Sequence, residues 1–162
     1  MIAPLKSGFG NLPAHLRKER ISESRLRKHA DYQRVYRTGR RQSLPLMTYF
    51  FVARTSFSST EAAQDGNSGP RVGLTTGRVL GNAVERNRIK RRMREAVRRN
   101  LILGTLTGPV DVVLHPRRSL LDADFAKVER EVARVFQAVQ AARVPVTANN
   151  TGDATERDGD AG

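Results

Sequence analysis

Residues 71–101 read RVGLTTGRVLGNAVERNRIKRRMREAVRRNL, and the order of signals within them decides the fold class. Arg71 to Thr76 has the length and residue types of a strand. Gly77 to Asn82 is a turn-rich connection, in which the Asn82 side chain is able to accept a backbone N–H bond and so cap a helix that starts after it. From about Ala83 to Leu101 the pattern becomes helical. On a wheel of about 100° per residue, Ile89, Met93, Ala96, Val97 and Asn100 share one arc, while Arg88, Lys90, Arg91, Arg94 and Arg98 take the other. A strand that feeds an amphipathic helix predicts an α/β domain, with one helix face on a core and the other in solvent.

Upstream, Tyr32, Val35 and Tyr36 fall at i, i+3 and i+4, which predicts a helix from His29 to Thr38 with Gly39 as its stop. Met47 to Ala53, rich in aromatic and branched residues and placed after Pro45, predicts a strand. The polar stretch Ser56 to Pro70 (SFSSTEAAQDGNSGP) then reads as a loop joining the two strands of a hairpin. Downstream, Val110 to Leu114 predicts a third strand ended by Pro116. Asp122 precedes Phe125, Val128, Val132, Val135, Phe136 and Val139, the apolar face of a last helix for which Asp122 is the expected cap. These readings divide the chain into a basic flexible arm (1–22), one domain (23–142) and an acidic disordered tail (143–162).

The bulk properties narrow the function. A chain of 162 residues with 38% hydrophobic content suits one modest core. Its 29 Lys and Arg against 16 Asp and Glu give a net charge of +13, which calls for a polyanionic partner. Without cysteine, and with only His15, His29 and His115 scattered along the chain, metal and redox centres built from this chain are not expected. No run of about 20 apolar residues is present and the start lacks a leader pattern, so the expected location is cytoplasmic.

Between Arg86 and Arg99 stand eight Lys or Arg against Glu95 alone. A charged helix face is usually just solvated, but here the signs are not mixed, and like charges at i, i+4 repel unless an anion neutralises them. Seven of the eight are arginine, whose planar fork grips phosphate oxygens bidentately. The apolar face lacks the bulky residues of a membrane-lying helix, and no helix-turn-helix pair or zipper accompanies it, so neither membrane nor DNA is the expected partner. RNA phosphate is.

The run Gly81-Asn82-Ala83-Val84-Glu85-Arg86-Asn87-Arg88-Ile89-Lys90-Arg91, with Arg94-Glu95 shortly after it, resembles the signature of the bacterial ribonuclease P protein family. Arg71 to Leu74 and Arg27 to Tyr36 with Gly39 resemble the same family in the same order. The resemblance implies a single-domain α/β sandwich with a central sheet of about four strands, three helices and a left-handed βαβ crossover. It also implies two RNA partners, the large catalytic RNA and precursor tRNA. Arg78, Asn82, Arg86, Asn87, Arg88, Lys90, Arg91 and Arg94 would form the RNA-binding set. Tyr32, Tyr36 and Phe50 would line a cleft for the 5′ leader of precursor tRNA, stacking on unpaired bases whatever their sequence. For Tyr32 and Tyr36, helical spacing equally allows ordinary core aromatics.

The implied reaction is endonucleolytic removal of the leader, with magnesium held mainly by the RNA and no catalytic residue on the protein. In keeping with this, Asp111, Asp122 and Asp124 read as isolated carboxylates, unsuited to a two-metal site. The chain departs from the family in having Val79 after Arg78, where paired lysines are common, and His115 where a basic residue is expected. Two other classes stay open at this point: a ribosomal or assembly factor using the same helix on structured RNA, and an autonomous nuclease.

Overall fold

The computed structural model describes residues 13–54 and 69–143, the side chains of 16–20 excepted. The first twelve residues, the loop up to residue 68 and the tail from residue 144 lie outside the described residues. The elements run α1 (Ala14–Glu23), α2 (His29–Thr38), β1 (Arg40–Ser43), β2 (Met47–Ala53), β3 (Arg71–Leu74), a 3-10 turn (Arg78–Leu80), α3 (Ala83–Ile102), β4 (Val110–Pro116), a second 3-10 turn (Arg118–Leu121) and α4 (Phe125–Arg143).

The four strands form one sheet in the order β1-β2-β4-β3. β1 and β4 flank β2 antiparallel, while β3 lies parallel to β4 and is joined to it through α3. The expected hairpin of β2 with β3 is therefore not formed, because β4 lies between them. The reason is burial: Val110, Val112, Val113 and Leu114 are fully buried, pointing alternately to both faces, and such a strand belongs in the middle of a sheet. β3 and β2 each cover only one flank of it.

Alternation along the strands sorts two cores. On one face Met47, Tyr49, Phe51, Val72, Val112 and Leu114 pack under α3 and α4. Val132, Val135, Phe136 and Val139 of α4 are wholly buried there, each contributing about 1.5–3 kcal/mol of transfer free energy. Asn100 on α3 is buried too, but its amide donates to the carbonyls of Ala96 and Glu129, so this polar group ties α3 to α4 without an unmet bond. On the other face a smaller core of Leu26, Val35 and Val113, with Tyr32, Phe50 and Val52 at its margin, seats α2.

Two local expectations need correction, and one strand was not anticipated. Ala14–Glu23 is helical where an arm was expected; the segment lacks an apolar stripe, and its support is tertiary, against α3. Strand β1 has the sequence RRQS, exposed throughout, so no alternation announces it. Asp122 closes the second 3-10 turn, its amide donating to the Ser119 carbonyl, and it is Asp124 whose carbonyl receives the amides of Lys127 and Val128 at the start of α4. By contrast, α3 begins where Asn82 predicted: its Oδ1 accepts from the Glu85 amide at 2.9 Å and the Glu85 carboxylate accepts from the Asn82 amide at 2.9 Å, a complete capping box. Gly39 ends α2 with φ −78°, in ordinary extended backbone; glycine is required for space, since a Cβ would meet the carbonyls of Val35 and Phe51.

Asp111, isolated by its sequence neighbours, is the centre of an ion cluster between α2 and the sheet. Its carboxylate is wholly buried and receives Arg71 bidentately (Nε to Oδ1 2.9 Å, Nη2 to Oδ2 2.8 Å), Arg34 at 2.6 Å and Arg54 at 3.1 Å. Asp31 of α2 joins through Arg34 at 3.0 Å and Arg71 at 3.3 Å. Burial lowers the affinity of the Arg54 guanidinium for its proton, opposed chiefly by the charge of Asp111. Replacing one member of such a cluster strands the others without compensation. Asp111→Asn is expected to lower the unfolding free energy by about 3–5 kcal/mol in urea titrations. Glu95→Gln, in an exposed pair, should cost less than about 1 kcal/mol.

Candidate nucleic-acid interface

α3 presents the predicted division of faces. Ile89, Met93, Ala96 and Asn100 are buried, whereas Arg88, Arg91, Arg94, Arg98 and Asn87 are exposed. Arg86 and Lys90 are half-buried at the boundary, and Arg78 is exposed in the turn that leads into the helix. Among the described residues Arg88, Lys90, Arg91 and Arg94 are held in no ion pair, which leaves a contiguous surface of cations open to an anion. The Oδ1 of Asn82 is engaged in the cap, so this residue fixes where the cationic surface begins.

Not every cation of the run belongs to that surface. Arg92 donates to the carbonyls of Leu120, Leu121 and Ala123, closing the loop ahead of α4 onto α3. Arg98 and Arg99 both donate to Glu95, and hydrogen bonding from Arg98 foremost holds the Glu95 carboxyl down at about 2. The same bond raises Arg98. Two turns of the helix thus carry partly neutralised charge, and the positive surface is strongest from Arg86 to Arg94.

The aromatic residues form a second feature, on the α2 face of the sheet. Tyr36 meets Phe50 edge-on, with centroids 5.1 Å apart, and His115 lies 5.3 Å from Phe50 and 5.5 Å from Tyr36. The Tyr36 hydroxyl sits 3.0 Å from Thr75 Oγ1 and 2.8 Å from His115 Nε2, so three elements of the fold fix one ring that remains 36% exposed. Arg41, the cross-strand partner of Phe50, lies over its ring at 6.0 Å, and Arg117 reaches Thr48 at 3.5 Å. The result is an open aromatic floor with cations at its margins. Burial, then the charge of Arg41, push the His115 imidazole below its ordinary 6.5, which favours its neutral form.

Tyr32 stands apart from this floor. It is half-buried, its hydroxyl donates to the Leu26 carbonyl at 3.3 Å, and its ring lies so close to Gly73 that a Cβ there would approach the hydroxyl to 2.7 Å. Burial raises its phenol above the ordinary 10. Of the three aromatics singled out in the sequence, the structure brings Tyr36 and Phe50 together, while Tyr32 packs against β3. Arg41 and Thr75 were missed: one lies on a strand without a pattern, the other comes just after β3, and only the register of the sheet brings them to the cleft. Val79 is 87% exposed beside Arg78, an apolar side chain on an otherwise cationic surface.

The family model described as Ribonuclease P matches residues 22–140. The chain is 34% identical over 125 residues to a ribonuclease P protein component of Chloroflexus aggregans, covering 76% of this chain and 83% of that one. It is 40% identical over 115 residues to that of Brucella melitensis biotype 1, covering 70% and 78%. The solved RNase P protein from Thermotoga maritima superposes with a TM-score of 0.56 at 25% identity, over 70% of this chain and 96% of that one. A match across residues 22–140, carrying the cationic α3 within it, shows that the chain belongs to the ribonuclease P protein family and is a protein component of ribonuclease P, partnered with its RNA.

Proposed function

We propose that the chain lays the basic face of α3 against the ribonuclease P RNA and holds the 5′ leader of precursor tRNA in the Tyr36–Phe50–His115 cleft, so promoting removal of the leader to give the mature tRNA 5′ end. The observation that carries this reading is the coexistence, on one rigid domain, of an unpaired arginine surface and a separate aromatic floor. The first suits phosphates of a folded RNA, the second the unpaired bases of a single strand. Stacking is indifferent to sequence, as a subunit that serves many precursors requires.

Hydrolysis itself is assigned to the RNA. The buried carboxylates beside the cleft face, Asp31 and Asp111, are already neutralised by Arg34, Arg54 and Arg71, so these residues do not fit a magnesium ion, and the magnesium of the reaction belongs on the RNA. Among the described residues no helix is long and apolar enough to cross a membrane. The proposed working place is the cytoplasm, on RNA and not on DNA.

Reconstitution with a bacterial ribonuclease P RNA at low magnesium tests the reading. The full chain should accelerate leader removal, and the chain without RNA should cleave nothing; cleavage by RNA-free protein would overturn the assignment of chemistry. With about five phosphate contacts, log affinity for RNA should fall with log salt at a slope of about −3.5 to −4.5. Arg88→Ala should make that slope shallower by about one, while Arg92→Ala should leave it unchanged and lower the melting temperature instead. Tyr36→Ala should weaken binding of a precursor with a leader about ten-fold and leave mature tRNA binding nearly unaltered, measured side by side by filter retention.

A further inference from the structure

A groove of about 340 Å3 lies between α1, the outer edge of β3 and α3, on the side of Tyr32 away from the Tyr36–Phe50 floor. Its wall is apolar: Val72, Met93 and Leu101 are buried beneath it, and Ile21, Leu74 and Val97 are partly exposed within it. Its lip is cationic. Lys90, Arg94 and Arg98 line one side at successive turns of α3, about 6 Å apart along the helix, and Arg25 lies opposite. Ile21 and Ser22, at the end of α1, with Ser24, Arg25 and Leu26 just after it, close the side of the groove that faces α3.

We propose that the groove receives one unpaired nucleobase of the RNA bound by α3, with the phosphates beside that nucleotide held by Lys90, Arg94 and Arg25. The inference rests on the reading of α3 as an RNA-binding helix. Charge complementarity selects this occupant. Lys90 and Arg94 belong both to the groove and to the open cationic surface, so an RNA backbone lying on α3 passes over the groove mouth. An unstacked base leaving that backbone finds an apolar wall and the edge of the Tyr32 ring in place of its lost neighbours. A protein segment of apolar character would gain the same wall but would bring nothing to neutralise Lys90, Arg94 and Arg25 at the lip, where Arg98 alone is already tempered by Glu95.

The test compares two RNA hairpins that differ only in a single-nucleotide bulge, one carrying adenine and the other abasic, for binding to the full chain. The adenine bulge should bind about ten-fold more tightly. Filling the groove from α3 with Val97→Trp, or from α1 with Ile21→Trp, should bring the ratio to about one. Equal affinity of the unaltered chain for the two hairpins, with steep salt dependence intact, overturns base insertion while the α3 reading stands. Absence of salt-dependent binding to either hairpin overturns the α3 reading and this inference together. Persistence of the ten-fold preference in both Trp variants, each melting as the parent does, places the base elsewhere and also overturns it.

Discussion

A single carboxylate organises the domain. Asp111 is wholly buried in the central strand and takes arginines from α2, β3 and the residue just after β2, so the elements around it are pinned to one another by charge as well as by apolar packing. Arg71 and Asp111 are also direct cross-strand partners in the parallel β3–β4 ladder. A slip of β4 by one residue would turn the carboxylate to the other face, against the apolar core that α3 and α4 cover. Hydrophobic burial sets the affinity of the layers for one another, and the ion cluster sets their alignment.

That alignment places the two candidate RNA surfaces. The Tyr36–Phe50–His115 floor exists only because α2, β2, β4 and the end of β3 arrive in a fixed register, and the ring of Tyr36 is held by partners from two other elements. α3, on the opposite face of the sheet, is aligned by different means: the capping box at Asn82, the apolar arc from Ile89 to Asn100, and Arg92, which binds the loop before α4. Within one helical run, therefore, arginines divide their work. Arg92 is architectural, Arg98 and Arg99 are tempered by Glu95, and those from Arg86 to Arg94 on the outer face stay open to an anion.

Much of this was legible in the sequence where local chemistry dictates structure. Periodicity marked α2, α3 and α4, and a cap residue marked the start of α3, because these signals depend on neighbours within a few positions. The strand neighbours were not legible in the same way. Nothing in Met47–Ala53 or Arg71–Leu74 says that Val110–Pro116 will come between them, although a strand apolar on both faces already argues for a central place. Asp111 read as isolated because its partners lie 40 to 77 positions away. Likewise Arg41 and Thr75 join the cleft through register alone, and α1 through its contact with α3.

The central strand also has a consequence in time. Ribosomal synthesis delivers β1, β2, β3 and all of α3 before Val110 emerges, yet β2 and β3 share no ladder until β4 enters between them. Over that interval the nascent chain carries Arg34, Arg54 and Arg71 without Asp111, the centre of their cluster, and a helix with eight cations without its core. Cooperative folding must wait for the last third of the chain. A polyanion already near the ribosome can meet these cations before the domain closes, so assembly with RNA and completion of the fold are positioned to overlap.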